Sequence, residues 1–156
     1  MRTLALVLCV LLGCAATDDD DDMPAGERRI EFLVPGTLDP LAEHAAVETY
    51  LRTQGDYGTE IDMRVYGVAL ADQAMFTIAC IGPDDHELAA QMFLPTSTAR
   101  ELEDGSFTIS KMPVVFFEDV ATEEVSDAPA ILHATMMTAP PTIGELAVTL
   151  DLKPTG

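Results

Sequence analysis

The chain has 156 residues and is 48% apolar, and its 27 Asp and Glu against 8 Lys and Arg leave a net charge of −19. Such a charge repels phosphates, which excludes nucleic acid as a partner. The apolar fraction is that of a folded protein, not of a disordered acidic one.

Taken from the amino end, Arg2 gives a positive start and residues 3–13 an apolar run of about eleven residues, the length of a signal-peptide core. A spanning helix needs roughly twenty. The run closes Leu11-Leu12-Gly13-Cys14. This ending resembles the lipobox of bacterial lipoproteins, with Leu three places and Gly one place before the cysteine. Leu12 departs from the pattern, being bulkier than the small residue usual there. The resemblance implies that residues 1–13 are a signal peptide. Cys14 would then receive a diacylglycerol and become the acylated first residue of the mature chain. It also implies outer-membrane delivery, because Ala15 and not Asp follows the cysteine. An ordinary secretory signal cut after Ala15 or Ala16, giving a secreted protein, is the alternative.

Residues 14–27 are expected to be the lipidated cysteine and its tether. The five aspartates at 18–22 repel one another and stay hydrated, so they extend rather than pack. With Arg2 removed, 7 basic residues face 27 acidic ones, a mature charge of −20. Attachment to an acidic membrane surface then has to come from acyl chains. Cys9 leaves with the signal and Cys14 is acylated, so Cys80 stands alone and no intramolecular disulfide forms.

Residues 28–154 read as one all-β domain, a β-sandwich of about eight or nine short antiparallel strands, with at most one short helix. A closed barrel has the same periodicity. Ile30 and Phe32 alternate with Arg29 and Glu31 before the Pro35-Gly36 turn, and Ile61, Met63 and Val65 alternate with Asp62 and Arg64. Residues 40–54 carry helix punctuation in Asp39-Pro40 and Gly55. Their polar and apolar residues mix on a helical wheel and separate on a strand, so strand is the expectation. Residues 75–81 are almost continuously apolar, as in a strand buried on both faces. The turn at 83–85 and a returning strand at 86–94 follow. A capping-box pattern at 98–101 predicts a helical turn. Asp104-Gly105 predicts a type I′ hairpin, and strands are expected at 107–109, 114–117, 131–137 and 146–152.

Three groups have chemistry to offer. Asp84, Asp85 and Glu87 flank a turn and are candidate Ca²⁺ ligands, although the spacing is not that of an EF-hand and a solvated turn has the same composition. Tyr57, between Gly55 and Gly58, is a candidate ring for stacking a ligand. His133 with Met136 and Met137 offers soft metal donors, but strand geometry separates them and core filling explains the methionines. Cys80 lies in the most apolar strand and is expected to be buried filler. No Gly-rich phosphate loop, zinc spacing or Gly-x-Ser-x-Gly elbow occurs, so no cofactor is assigned. The expectation is a lipid-anchored extracytoplasmic protein of the cell envelope that works by binding. The alternatives are a small envelope hydrolase with Ser, His and carboxylate drawn from distant positions, or a divalent-metal binder.

Overall fold

The computed structural model describes residues 27–72, 74–94 and 98–154. The expected signal peptide and Cys14, with the tether up to residue 26, lie outside the described residues. Nine strands form: β1 (Arg29–Leu33), β2 (Ala46–Leu51), β3 (Tyr57–Tyr66), β4 (Phe76–Ile81), β5 (Glu87–Phe93), β6 (Ala99–Glu101), β7 (Phe107–Val115), β8 (Ala128–Met136) and β9 (Thr142–Leu152). The helical content among the described residues is three 3-10 turns, at Leu70–Asp72, Pro83–Asp85 and Thr122–Glu124.

The ladder runs β5-β4-β8-β9-β2-β3-β7-β6, with β1 paired to β3. It doubles over at β2, which pairs with β9 through Ala46 to Thr49 and with β3 through Thr49 to Leu51. Two layers result, β5-β4-β8-β9 and β1-β3-β7-β6. Between them lies a core whose largest fully buried side chains include Phe76, Phe107, Phe116, Met63, Leu132 and Leu150. Burying that apolar surface is the main stabilising term, and among the described residues the one cysteine, Cys80, is free.

Each long edge of the sandwich has its own closure. Near β2, the Cα of Gly144 on β9 meets the backbone of β1 so closely that an added Cβ would lie 2.5 Å from the Ile30 carbonyl oxygen. On the opposite edge Gln91 of β5 reaches β7. Its amide, oriented from the hydrogen-bond network, donates to Pro113 O at 2.8 Å and accepts from Val115 N at 3.1 Å. A side chain replaces a backbone ladder at this point, which leaves a sandwich rather than a closed barrel.

Three details differ from the sequence expectation. The β2–β9 pair is parallel; periodicity reports which face a residue occupies and is silent on strand direction. Ala99–Glu101 is a strand paired with Phe107 to Ile109, not a helical turn. A lone capping pattern without a following apolar helix loses to a neighbouring strand that offers a ladder. The Asp104-Gly105 turn has positive φ at Gly105 (79°) alone, and Leu102 N–H donates to Ser106 O at 2.8 Å. This is a three-residue loop with a left-handed glycine and not a type I′ turn. Gly55 (φ 91°) does the same between β2 and β3, where Arg52 N–H donates to Asp56 O. The strand expected within residues 40–54 forms, as β2.

Candidate functional site

The residues singled out for metal binding are spread over an exposed turn. Asp84 and Asp85 both adopt left-handed backbone angles (φ 59° and 58°), which Asp tolerates better than most residues. With Glu87, they are exposed. Among the described residues, no three His, Cys, Asp or Glu side chains are grouped to hold a metal. His86, between them, instead meets Glu124 across the turn, Nδ1 to Oε1 at 2.7 Å. Glu124 Oε2 also accepts from Ala121 N–H at 2.8 Å. That backbone donor first, and His86 second, hold the Glu124 carboxyl below its ordinary range.

Tyr57 is not an exposed ring between glycines. It opens β3 half-buried against the core, and its hydroxyl shares a 2.6 Å hydrogen bond with Thr122 Oγ1. Cys80 is fully buried, and burial pushes its thiol up to about 12. Its expected role as filler agrees with this position, since a reactive thiol needs access and a positive neighbour.

The feature that sequence reading missed is the outward face of the β5-β4-β8-β9 sheet. Strand alternation aims one side chain in two away from the core. The pairing registers place Met92, Thr77, Thr135 and Ile143 in one row across the four strands, and Ala90, Ala79, His133 and Glu145 in the next. Glu87, Ile81, Ile131 and Ala147 form a third. At the end of the sheet Met137 N–H donates to Met75 O, so these two side chains lie side by side, with Leu94 just past β5. Met92 is 55% exposed, Leu94 and Met137 53%, and Ile143 52%. Two carboxylates stand in these rows: Glu87 at the β5 end of the third, and Glu145, which is paired with His133 (Nδ1 to Oε2, 3.2 Å).

Four strands about 4.8 Å apart and seven residues at about 3.3 Å each give this face roughly 440 Å² in projection. That is the size of the largest apolar patches on monomeric proteins, which are often functional. Methionine suits a surface that has to adapt to a partner, being unbranched and polarizable. The acidic residues return at the margin: Glu48 of β2 lies beside Asp151 of β9, and Lys153 bridges the two at 3.6 and 2.6 Å. An apolar centre with a polar rim is the usual anatomy of a protein interface.

His133 Nε2 lies 3.0 Å from Thr135 Oγ1. The sequence Thr135–His133–Glu145 therefore has the order of a nucleophile, base and orienting carboxylate. Acyl transfer also needs free N–H donors around the developing oxyanion. Here β8 is paired on both sides, with β4 and β9, so its amides are engaged in the ladder.

Recesses lie elsewhere on the molecule. An open groove of about 420 Å³ sits where β1 ends and β2 begins, lined by Leu33, Leu41, Val47, Tyr50 and Ile61, with Glu48 and Glu60 at its sides. Burial, with Glu60 second, raises the Tyr50 hydroxyl above its ordinary range. A shallower recess of about 430 Å³ lies beside the His86–Glu124 pair.

The strand order β1-β3-β7-β6 against β5-β4-β8-β9 is that of an immunoglobulin-like sandwich, with β2 parallel to the last strand. The usual buried Trp is missing, since the chain contains none, and Cys80 is free. No family model matches the chain, and no curated protein does. Among solved structures it is similar to "Crystal structure of Dpr2 Ig1-Ig2 in complex with DIP-Theta Ig1-Ig3", with 16% identity over 81% of this chain, 49% of that chain and a TM-score of 0.33. It is also similar to "Crystal structure of Dpr1 IG1 bound to DIP-eta IG1", with 13% identity over 79% of this chain, 97% of that chain and a TM-score of 0.30. The chain spans about half the length of the first of these, 49%.

Proposed function

We propose that this chain is a binding module of the cell envelope, held by a lipid on Cys14 and a hydrated acidic tether, with the outward face of β5-β4-β8-β9 as its docking surface. The observation that carries the binding role is that face: exposed Met75, Met92, Leu94, Ile131, Met137 and Ile143 in a chain of net charge −19. Leaving so much apolar surface in water favours association with a partner that covers it. The anchor rests on the Leu11-Leu12-Gly13-Cys14 ending, and Ala15 favours the outer membrane. Metabolic labelling with a fatty-acid analogue is expected to mark the wild-type chain and not Cys14→Ser. An unlabelled wild type that begins after Cys14 would establish the secreted form instead.

The Thr135–His133–Glu145 contacts support a second reading, a small hydrolase. Ester cleavage that disappears in both His133→Ala and Thr135→Val would favour it; activity untouched by either substitution removes it.

A further inference from the structure

We propose that the groove between the end of β1 and the start of β2 binds a small organic cation with an apolar body, its ammonium head directed to Glu60 and Tyr50. No residue of β5, β4, β8 or β9 lines this groove, so the site goes beyond the docking face described above. Its origin is a gap in a ladder. On one edge of β3, β1 pairs with Asp62 to Tyr66 and β2 with Tyr57 to Thr59. Glu60 and Ile61 fall between the two and belong to neither pairing. The opening, about 420 Å³, is lined by buried Leu33, Val47 and Ile61 and by half-buried Leu41. That volume falls within the range of small-molecule sites, about 300–1,000 Å³.

The walls are held in place by the fold itself. Leu41 N–H donates to Phe32 O at 2.8 Å, Val34 N–H donates to Asp39 O at 2.9 Å, and Leu33 forms a β-bridge with Pro40. His44 N–H donates to Ala147 O at 2.7 Å, which fixes the chain as it enters β2. A ligand therefore has little backbone to order, and ordering is one of the main costs of binding.

Charge selects the ligand class. Glu48 and Glu60, both exposed, stand at the sides of the groove. Glu48 faces Lys153 at 3.6 Å, but that ammonium is held more closely by Asp151, at 2.6 Å. Glu60 takes part in none of the ion pairs among the described residues. Arg52, whose charge reaches Tyr50, is bound to Asp56 at 2.9 Å. Three carboxylates thus share one ammonium here, in a chain of net charge −19, and an anion is repelled. Tyr50 adds an aromatic face, which attracts cations. A neutral apolar molecule would leave Glu60 unused, and a hydrated metal ion would leave Leu33, Leu41 and Ile61 unused. A molecule that joins a cationic head to an apolar body uses both.

The test is an NMR titration of the backbone amides of the full-length chain carrying Cys14→Ser, with phenethylammonium and, in parallel, phenethyl alcohol as its uncharged counterpart, each to about 20 mM. Saturating shifts are expected at Val47, Glu48, Glu60 and Ile61, with a dissociation constant of about 1 mM for the ammonium and binding about threefold or more weaker for the alcohol. Glu60→Gln, at an exposed position, is expected to abolish that preference and leave the alcohol unaffected. Ala46→Phe, also exposed, is expected to fill the groove and weaken both probes at least tenfold. Glu101→Gln, exposed on β6, is expected to change neither. The absence of saturable shifts overturns the proposal. Equal affinity for the two probes overturns it too, since the groove would then ignore charge. A preference that survives Glu60→Gln does the same, because it would mark general attraction to an acidic chain. None of these readouts involves β5, β4, β8 or β9, so the docking face and this groove can each fail alone.

Discussion

The two outward faces of the sandwich are built on the same ladder and finished in opposite ways. On β1-β3-β7-β6 the polar side chains are locked to one another. Arg29 and Arg64 lie over the Tyr66 ring, 3.8 and 4.8 Å from its centroid, and the Tyr66 hydroxyl donates to Glu31 at 2.8 Å. Arg64 Nε donates to Ser106 Oγ at 2.9 Å, and the Arg64 guanidinium is also paired with Asp104. Glu31, Arg64, Thr108 and Arg100 share one cross-strand row. On β5-β4-β8-β9 the corresponding rows are mostly methionine, isoleucine, alanine and threonine, with His133, Glu145 and Glu87 among them. A face whose groups are satisfied within the molecule has little left to offer a partner, whereas an apolar face gains by being covered. One sheet has its polar groups satisfied within the molecule, and the other leaves apolar side chains exposed.

Substitutions can break or sharpen this division. The largest expected effect comes from beneath the open face. Cys80 has a thiol raised to about 12 from an ordinary 9.0, with burial as the cause. A proton lost more readily from the unfolded chain stabilises the fold fully below about pH 9, and that contribution disappears as pH rises toward 12. Over that window it is of the order of 4 kcal/mol. Urea midpoints are expected to fall between pH 9 and 11 in the wild type and to fall less in Cys80→Ala.

Next comes the support of the locked sheet. Asp62 is buried, and its two oxygens accept from Gly36 N–H at 2.8 Å and Lys111 N–H at 2.6 Å. Asp62→Ala strands both donors and is expected to cost about 2–3 kcal/mol in chemical denaturation. Tyr66→Leu removes the ring from two guanidinium groups and a donor from Glu31, a loss of about 1–2 kcal/mol. Tyr66→Phe is expected to lose only the hydrogen-bond share.

The seam between the faces should respond less. Glu124, held low by Ala121 N–H and then by His86, contributes stability above the ordinary carboxylate range that is lost as pH falls through its depressed value. His86→Ala is expected to raise the Glu124 titration midpoint in NMR while leaving it below the ordinary value, because the backbone donor remains. On the open face, Met92→Ser and Ile143→Ser are expected to move monomer stability by less than about 0.5 kcal/mol. A larger loss would mean that part of the chain itself already covers this face.

Much of the strand pattern was legible because inward and outward residues alternate. Ile61, Met63 and Val65 face the core as their spacing predicts, and so do Val148 and Leu150. The open face was not legible, and the reason is also alternation. Thr77, Ala79 and Ile81 are apolar or nearly so, and in sequence they merge with Phe76, Ile78 and Cys80 into what reads as a strand covered on both sides. Only the structure reveals that, among the described residues, one side of that strand has no second layer. Likewise Tyr57 sits between loop-forming glycines in sequence, yet its hydroxyl finds Thr122, 65 residues away. No local signal encodes that partner.

By itself the sequence determined that this is an acidic, all-β domain, because charge and two-residue periodicity are local properties. Tertiary structure alone decided that β2 runs parallel to β9, that Gly144 lets β1 approach, and that Met75, Met92 and Met137 gather on one face. Those outcomes depend on which strands become neighbours, and pairing energies between distant segments leave no periodic trace in either segment.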